Sequence, residues 1–235
     1  DGFQFGRGVF ETILVKEEPL LFDRHFDRLT NGISAIGINN DVKREELLEA
    51  IRKHNIRNCV LKIIVTEKNI VLVTRESAYK KEDYEKGFGL KVSNLVKDEN
   101  SRAVYIKSLA RLDSMLEKEK ALGEGYEEAV FLNTKGFVTE ACNSNIFFVK
   151  DGIIYTPSIE CGLLNGVIRC FVVDNFDVTV GKFTMDQLML ADEAFLTNSV
   201  LGIMKVKSIG GRKLDDFSVY HRVRNKYNWF YENCH

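Results

Sequence analysis

Tyr105-Ile106-Lys107-Ser108-Leu109, followed later by Val138-Thr139-Glu140-Ala141-Cys142-Asn143-Ser144-Asn145, holds the two residues from which the reading of this chain starts. A lysine whose amine is partly desolvated can hold an aldehyde as a Schiff base and afterwards carry protons. A carboxylate facing a heteroaromatic nitrogen keeps that nitrogen protonated, because a nearby opposite charge favours the cationic form. Lys107 and Glu140 are thus the two groups that pyridoxal phosphate chemistry asks of a protein.

Upstream of Lys107, Val9 to Val15 (VFETILV) and Leu20 to Phe22 read as the strands of a hairpin around Lys16-Glu17-Glu18-Pro19. Apolar residues at helical spacing, Phe26, Leu29, Ile33 and Ile36, then Leu47, Leu48 and Ile51, predict helices over Asp23 to Gly37 and Val42 to His54. Cys59 to Thr66 and Asn69 to Thr74 read as strands, which completes a small α+β unit. From Glu76 to Lys86 the chain is almost wholly polar, and the expected division is a small N-terminal domain, 1–84, and a larger C-terminal domain, 85–235. The second domain opens with a strand from Leu90 (LKVSNLV), a charged loop, and a helix from Ser108 to Leu122 with Gly123 as its C-cap. Strands follow at Glu128 to Leu132, Asn145 to Val149 and Ile153 to Tyr155, with turns between them that suggest antiparallel pairing. Helices are expected at Val167 to Asn175 and Met185 to Leu190. A strand, Glu193 to Thr197, and a C-terminal amphipathic helix containing Val223, Tyr227 and Phe230 follow.

A chain of 235 residues with 45% hydrophobic content can build a substantial core, which excludes a disordered protein. With 33 basic and 34 acidic residues the net charge is −1, so no global field recruits nucleic acid or an anionic membrane, and the expected partner is a small molecule. The five cysteines, Cys59, Cys142, Cys161, Cys170 and Cys234, are odd in number and lack a C-x-x-C spacing. They read as free thiols of a reducing cytoplasm, with no metal site. No apolar run approaches the roughly 18 residues of a membrane span, and no leader is apparent. Asp1-Gly2 opens without methionine, and a strand of the small domain is expected to precede it. Phe5-Gly6-Arg7-Gly8 is too short for a dinucleotide fingerprint.

Six blocks in order, Gln4 to Glu11, His25 to Leu29, Ile106 to Leu109, Glu140 to Phe148, Leu164 to Arg169 and Ala191 to Ser199, make the chain similar to the class IV aminotransferases, the fold-type IV pyridoxal phosphate enzymes. The resemblance implies an α+β chain in two domains, a small α/β sandwich and a larger pseudo-barrel α+β domain. It implies pyridoxal 5'-phosphate as cofactor, a small-molecule amine as substrate and a homodimer. By the same resemblance Lys107 carries the cofactor and acts as acid and base, and Glu140 pairs with its ring nitrogen. Arg28, whose fork of donors suits a phosphate, Gly166 with the amides of Val167 and Ile168 at a helix start, and Asn198 with Ser199 hold the phosphate end. Asn145 is expected to buttress the Glu140 loop, Cys142 to be an inert thiol and His25 to have a packing or hydrogen-bonding role.

Within the family the activities implied are 4-amino-4-deoxychorismate lyase, branched-chain aminotransferase and D-amino-acid aminotransferase. Lys107-Ser108-Leu109-Ala110-Arg111-Leu112 and Asn198-Ser199-Val200-Leu201-Gly202-Ile203-Met204 resemble the lyase pattern, which would give 4-aminobenzoate and pyruvate in the folate pathway. A non-catalytic relative acting as a binding protein is the alternative from another class. The chain departs from the family pattern at Arg7, Ala110 and Lys205, and at Thr66-Glu67-Lys68, which offers no bidentate fork to a carboxylate. Lys97, Arg102 and Arg111 remain as the candidate cations for a substrate acid group.

Overall fold

The structure is a computed structural model that describes residues 2–233, so Cys234 of the thiol set lies outside the described residues. Its elements are α1 (Gly2–Phe5), β1 (Gly8–Val15), α2 (Phe22–Ala35), α3 (Arg44–Lys53), β2 (Cys59–Thr66), β3 (Ile70–Arg75), α4 (Lys81–Lys86), β4 (Phe88–Lys97), α5 (Leu112–Gly123), β5 (Glu128–Asn133), β6 (Val138–Ala141) and β7 (Asn145–Lys150). There follow β8 (Ile153–Pro157), α6 (Val167–Asn175), β9 (Val178–Gly181), α7 (Met185–Met189), β10 (Glu193–Asn198), β11 (Gly202–Ile209), β12 (Arg212–Lys213) and α8 (Ser218–Asn233). The chain divides into two compact units. The first holds the chain up to Ala78 together with Ile106–Arg111, and the second holds Tyr79–Tyr105 and Leu112–Glu232.

The first unit is a three-stranded antiparallel sheet, ordered β1-β2-β3, with helices on one face. Strand alternation sends Val9, Ile13 and Val15 of β1, with Leu61, Ile63 and Val65 of β2, against Leu29 and Ile33 of α2 and Leu47 and Ile51 of α3. Glu11 lies on that inward face, whereas Phe10, Thr12, Lys62 and Ile64 share the other, in a register that sets Thr12 opposite Lys62 and Phe10 opposite Ile64. The expected hairpin does not form. Val15 and Pro19 make only an isolated bridge, Leu21 turns the chain at φ 52, and Phe22 opens α2. Proline has no N–H for a ladder, and Phe22 is buried within the helical layer.

The Lys107 segment is where local propensity and structure part. Helix was expected from Ser108, but α5 starts at Leu112, because Ser108 bridges Val9 and the Leu109 N–H donates to the Gly8 carbonyl at 2.9 Å. At the other end α5 includes Gly123, and the left-handed residue that follows it is Gly125, at φ 84.

The second unit is a nine-stranded curled sheet ordered β6-β5-β4-β11-β10-β7-β8-β9, with β12 on β11. It is mixed: β4 runs parallel to β5 and β11, and β8 parallel to β9, while the other pairs are antiparallel. Parallel neighbours need a crossover, which α5 supplies between β4 and β5 and α6 between β8 and β9. Leu90, Val130, Ile146, Leu196, Met204 and Val206 are fully buried in its core. The polar stretch 76–86, read from sequence as the division between the domains, contains α4.

A Cβ on Gly8 would stand 2.7 Å from Leu109 Cδ1 and 3.0 Å from the Val65 carbonyl oxygen. Gly8→Ala is therefore expected to lower unfolding stability by about 1–3 kcal/mol in urea titration, through strain at the pairing of β1 with residues 108–109.

Candidate active site

Backbone pairing fixes Lys107. The Phe10 N–H donates to the Lys107 carbonyl at 2.9 Å, and the lysine ammonium stands 4.7 Å from the centroid of the Phe10 ring. Lys107 is partly buried, as a lysine needs to be if its amine is to react at neutral pH.

On the inward face of β1, Glu11 is 1% exposed and its carboxylate is fully engaged. Arg28 donates through Nε to Oε1 at 2.8 Å and through Nη2 to Oε2 at 2.8 Å, and His25 Nδ1 lies 2.6 Å from Oε2. Burial pushes the Glu11 carboxyl upward, but the Arg28 and His25 partners win and hold it at about 2. Burial pushes His25 downward, against the pull of Glu11, so it stays neutral. Arg28, expected at a phosphate, thus has the plane of its guanidinium set by Glu11. Sequence reasoning gave Glu11 no role, although its place among Val9, Ile13 and Val15 marks a carboxylate on the buried side of a strand.

The second unit assembles the Glu140 group. Lys97 Nζ donates to Glu140 Oε1 at 2.6 Å, and Oε2 accepts from the Leu164 N–H at 3.1 Å and from Asn145 Nδ2 at 3.3 Å. The Asn145 amide also donates to the Leu164 carbonyl at 2.8 Å, so Asn145 buttresses this loop. Gly166 precedes α6, and a Cβ there would fall 2.0 Å from Asn145 Oδ1. No side chain caps the first turn of α6, leaving Val167 and Ile168 at a helix start of the kind that binds anions. One asparagine therefore bonds the carboxylate and also leaves no room for a side chain at the glycine before the helix.

The remaining candidates fall differently. Lys97, proposed for a substrate acid group, lies on Glu140 instead. Arg102 is exposed on the short turn 102–105. Arg111 belongs to the first unit, with its guanidinium carbon 6.0 Å from the Phe10 centroid. Asn198 holds its own turn: Oδ1 accepts the Val200 and Leu201 N–H groups at 2.9 Å, and Nδ2 reaches Asn143 and Ser144. Ser199 follows it at the strand end, half-buried. The Cys142 thiol is buried and pushed up to about 12, first by burial and then by the Glu128 charge, which leaves no thiolate to react. Among the described residues no cluster of side chains fits a metal ion, and no helix is long and apolar enough to cross a membrane.

Residues 8–209 match the family described as amino-transferase class IV. The aminodeoxychorismate lyase of Bacillus subtilis (strain 168) is 30% identical, over 88% of this chain and 79% of that protein. The D-alanine aminotransferase of Staphylococcus epidermidis (strain ATCC 35984) is 27% identical, over 93% of this chain and 85% of that protein. A crystal structure of the T.th. branched-chain amino acid aminotransferase complexed with N-(5'-phosphopyridoxyl)-L-glutamate superposes with a TM-score of 0.86 at 25% identity, over 97% of this chain and 85% of that one.

Two predictions follow the electrostatics. A carboxyl held below its ordinary value of 4.5 contributes stability that is present above that value and is lost as pH falls toward 2. A neutral histidine held below 6.5 loses stability in the same direction, starting from 6.5. Urea midpoints are expected to fall from pH 7 to pH 4, and Glu11→Ala to cost about 3–5 kcal/mol at pH 7, since it strands buried partners. Lys97→Met is expected to cost about 1–3 kcal/mol by leaving Glu140 without its cation, with most of that recovered in Lys97→Arg, by the same titration.

Proposed function

Since this chain belongs to the class IV aminotransferase family, we propose that it is a pyridoxal 5'-phosphate enzyme and, within the family, a 4-amino-4-deoxychorismate lyase that releases 4-aminobenzoate and pyruvate. The donor set fits the cofactor: a partly buried lysine, an arginine oriented by a carboxylate, an uncapped helix start behind a glycine, and a carboxylate that is itself held in place. Lys107 would hold the aldehyde carbon, Arg28 with the Val167 and Ile168 amides the phosphate, and Glu140 the ring nitrogen. The bound cofactor supplies an electron-poor ring that accepts the electrons of a breaking bond.

The observation that carries the lyase reading is Arg111, which faces the same Phe10 ring as Lys107. Aminodeoxychorismate brings acid groups that a cation there can meet, whereas the side chain of a branched-chain amino acid is apolar and gains nothing from one. In the reaction Lys107 Nζ would remove the proton from the amine-bearing carbon of the substrate. The bond from the ring to the enolpyruvyl oxygen breaks as the ring becomes aromatic. The proton taken up by Lys107 balances the one that turns the departing enolate into pyruvate, so no water is consumed. Glu140 is clamped by Lys97, Asn145 and the Leu164 amide.

Transamination of a branched-chain or D-amino acid is the second reading, favoured by the same lysine, arginine and carboxylate, which serve either outcome of the first proton transfer. We further propose a cytoplasmic homodimer. Four cysteines are free thiols among the described residues, and α5 exposes Leu112, Met115, Leu116 and Leu122.

Pyruvate release from aminodeoxychorismate by the cofactor-loaded chain, followed through lactate dehydrogenase, is expected and should fall by at least about 10²-fold in Lys107→Ala. If instead L-leucine, L-glutamate or D-alanine bleaches the visible band and an oxo acid restores it, with no pyruvate formed from aminodeoxychorismate, the enzyme is a transaminase. A Lys107→Ala variant that keeps the wild-type band would overturn both.

A further inference from the structure

An ionised carboxylate has about four lone-pair sites, and three donors occupy Glu140. On Oε2 the Leu164 N–H and Asn145 Nδ2 take two, at 3.1 and 3.3 Å, so the remaining site lies on Oε1, beside Lys97 Nζ at 2.6 Å. Leu164 and Asn145 already orient the carboxylate, because Asn145 is itself anchored on the Leu164 carbonyl at 2.8 Å. What Lys97 adds is charge. Its side chain and that of Glu140 are each 13% exposed, so salt and water screen the pair little. The ammonium also stands 4.7 Å from the centroid of the fully buried Phe131 ring, which attracts a cation without neutralising it. Among the described residues the carboxylate paired with Lys97 is Glu140. Any group that bonds Glu140 at its remaining site lies farther from Lys97 Nζ than Glu140 does, and Coulomb energy falls with distance. Lys97 therefore favours a negative charge on Glu140 more than it opposes a positive charge on the group facing it. Without that cation, a largely buried carboxylate gains by taking the proton itself.

We propose that Lys97 decides where the proton shared by Glu140 and the ring nitrogen of pyridoxal phosphate rests. With the ammonium on Oε1 the proton lies on the nitrogen, and without it the proton lies on the carboxylate. This rests on the cofactor reading and not on the choice between lyase and transaminase. Lys97 is a positioning residue: it acts through Glu140 and exchanges no proton with the substrate. The balance closes within the pair, because the O–H bond of the acid breaks as the N–H bond forms, leaving carboxylate and pyridinium, with no water or co-reactant consumed. A lysine read from sequence as the partner of a substrate acid group thus serves the ring end of the cofactor.

The test is nitrogen-15 magnetic resonance of the chain loaded with pyridoxal phosphate labelled at the ring nitrogen, whose signal moves far upfield on protonation. Glu140→Gln marks the position of a ring nitrogen that faces no carboxylate. The wild-type signal is expected at the protonated position, with Lys97→Arg beside it. Lys97→Met and Lys97→Gln are expected to move downfield toward the Glu140→Gln position. Glutamine can still donate a hydrogen bond but carries no charge, so it separates the two contributions and supplies a second neutral variant if methionine does not fold. Far-ultraviolet circular dichroism and the visible cofactor band confirm that each variant is folded and loaded. A purely structural role for Lys97 would weaken cofactor binding or stability and leave the signal where it is. A wild-type signal at the protonated position that persists in a loaded neutral variant would overturn the inference, as would a downfield wild-type signal. A wild-type chain that forms no visible band with pyridoxal phosphate would instead overturn the cofactor reading itself. With whichever substrate the loaded chain turns over, Lys97→Met should lower kcat roughly tenfold or more and leave KM within about twofold.

Discussion

The hydrogen bond from the Phe10 N–H to the Lys107 carbonyl, with its neighbour from Leu109 to Gly8, is the constraint on which the chemistry of the first unit depends. It adds residues 107–109 to the free edge of β1 as a short extended segment and keeps them out of the helix that follows. Each such bond contributes only about 1 kcal/mol net, yet together they fix which residues lie beside the lysine. Phe10 faces it, and strand alternation sends Glu11 to the opposite, helical side. Gly8 is part of the same arrangement, because a side chain there would collide with Leu109 and the Val65 carbonyl.

Three enclosed carboxylates in this chain show how partners decide the outcome of burial. Glu11 is held charged because two side chains donate to it in good geometry. Glu140 has a lysine, an asparagine and a backbone amide. Glu128 is fully buried with Lys118 at 3.0 Å, and there burial outweighs the cation and raises its pKa. The first two direct their partners or are directed by them toward named functional groups. Glu128 instead sits under α5 near Cys142, and burial pushes the pKa of both groups upward.

Membership of the family settles the class of enzyme and leaves the reaction to a few side chains, since lyase and transaminase share the first proton transfer. In the proposed reading the groups that bear on the choice are those around Phe10, where the chain gathers lysine and arginine on an apolar ring. Lys97, by contrast, has its charge committed to Glu140 and is a positioning residue in this geometry.

Sequence by itself determined most of the elements, because strand and helix periodicities are local. The reading of Val167 to Asn175 as a helix coincides with α6, and Cys59 to Thr66 coincides with β2. It also pointed to the family, because the motifs that carry the resemblance are short, local and in order along the chain. Tertiary structure alone decided that Ser108 to Arg111 is extended rather than helical, that Leu20 to Phe22 forms no second hairpin strand, and that Lys97 belongs to Glu140. It also decided that Lys62, a lysine on a strand with no motif around it, stands over the same ring as Lys107. The physical reason is common to all four. Each depends on a contact between segments far apart in the chain, and the pairing of distant backbone and charge is set by packing, to which local propensity and spacing are blind.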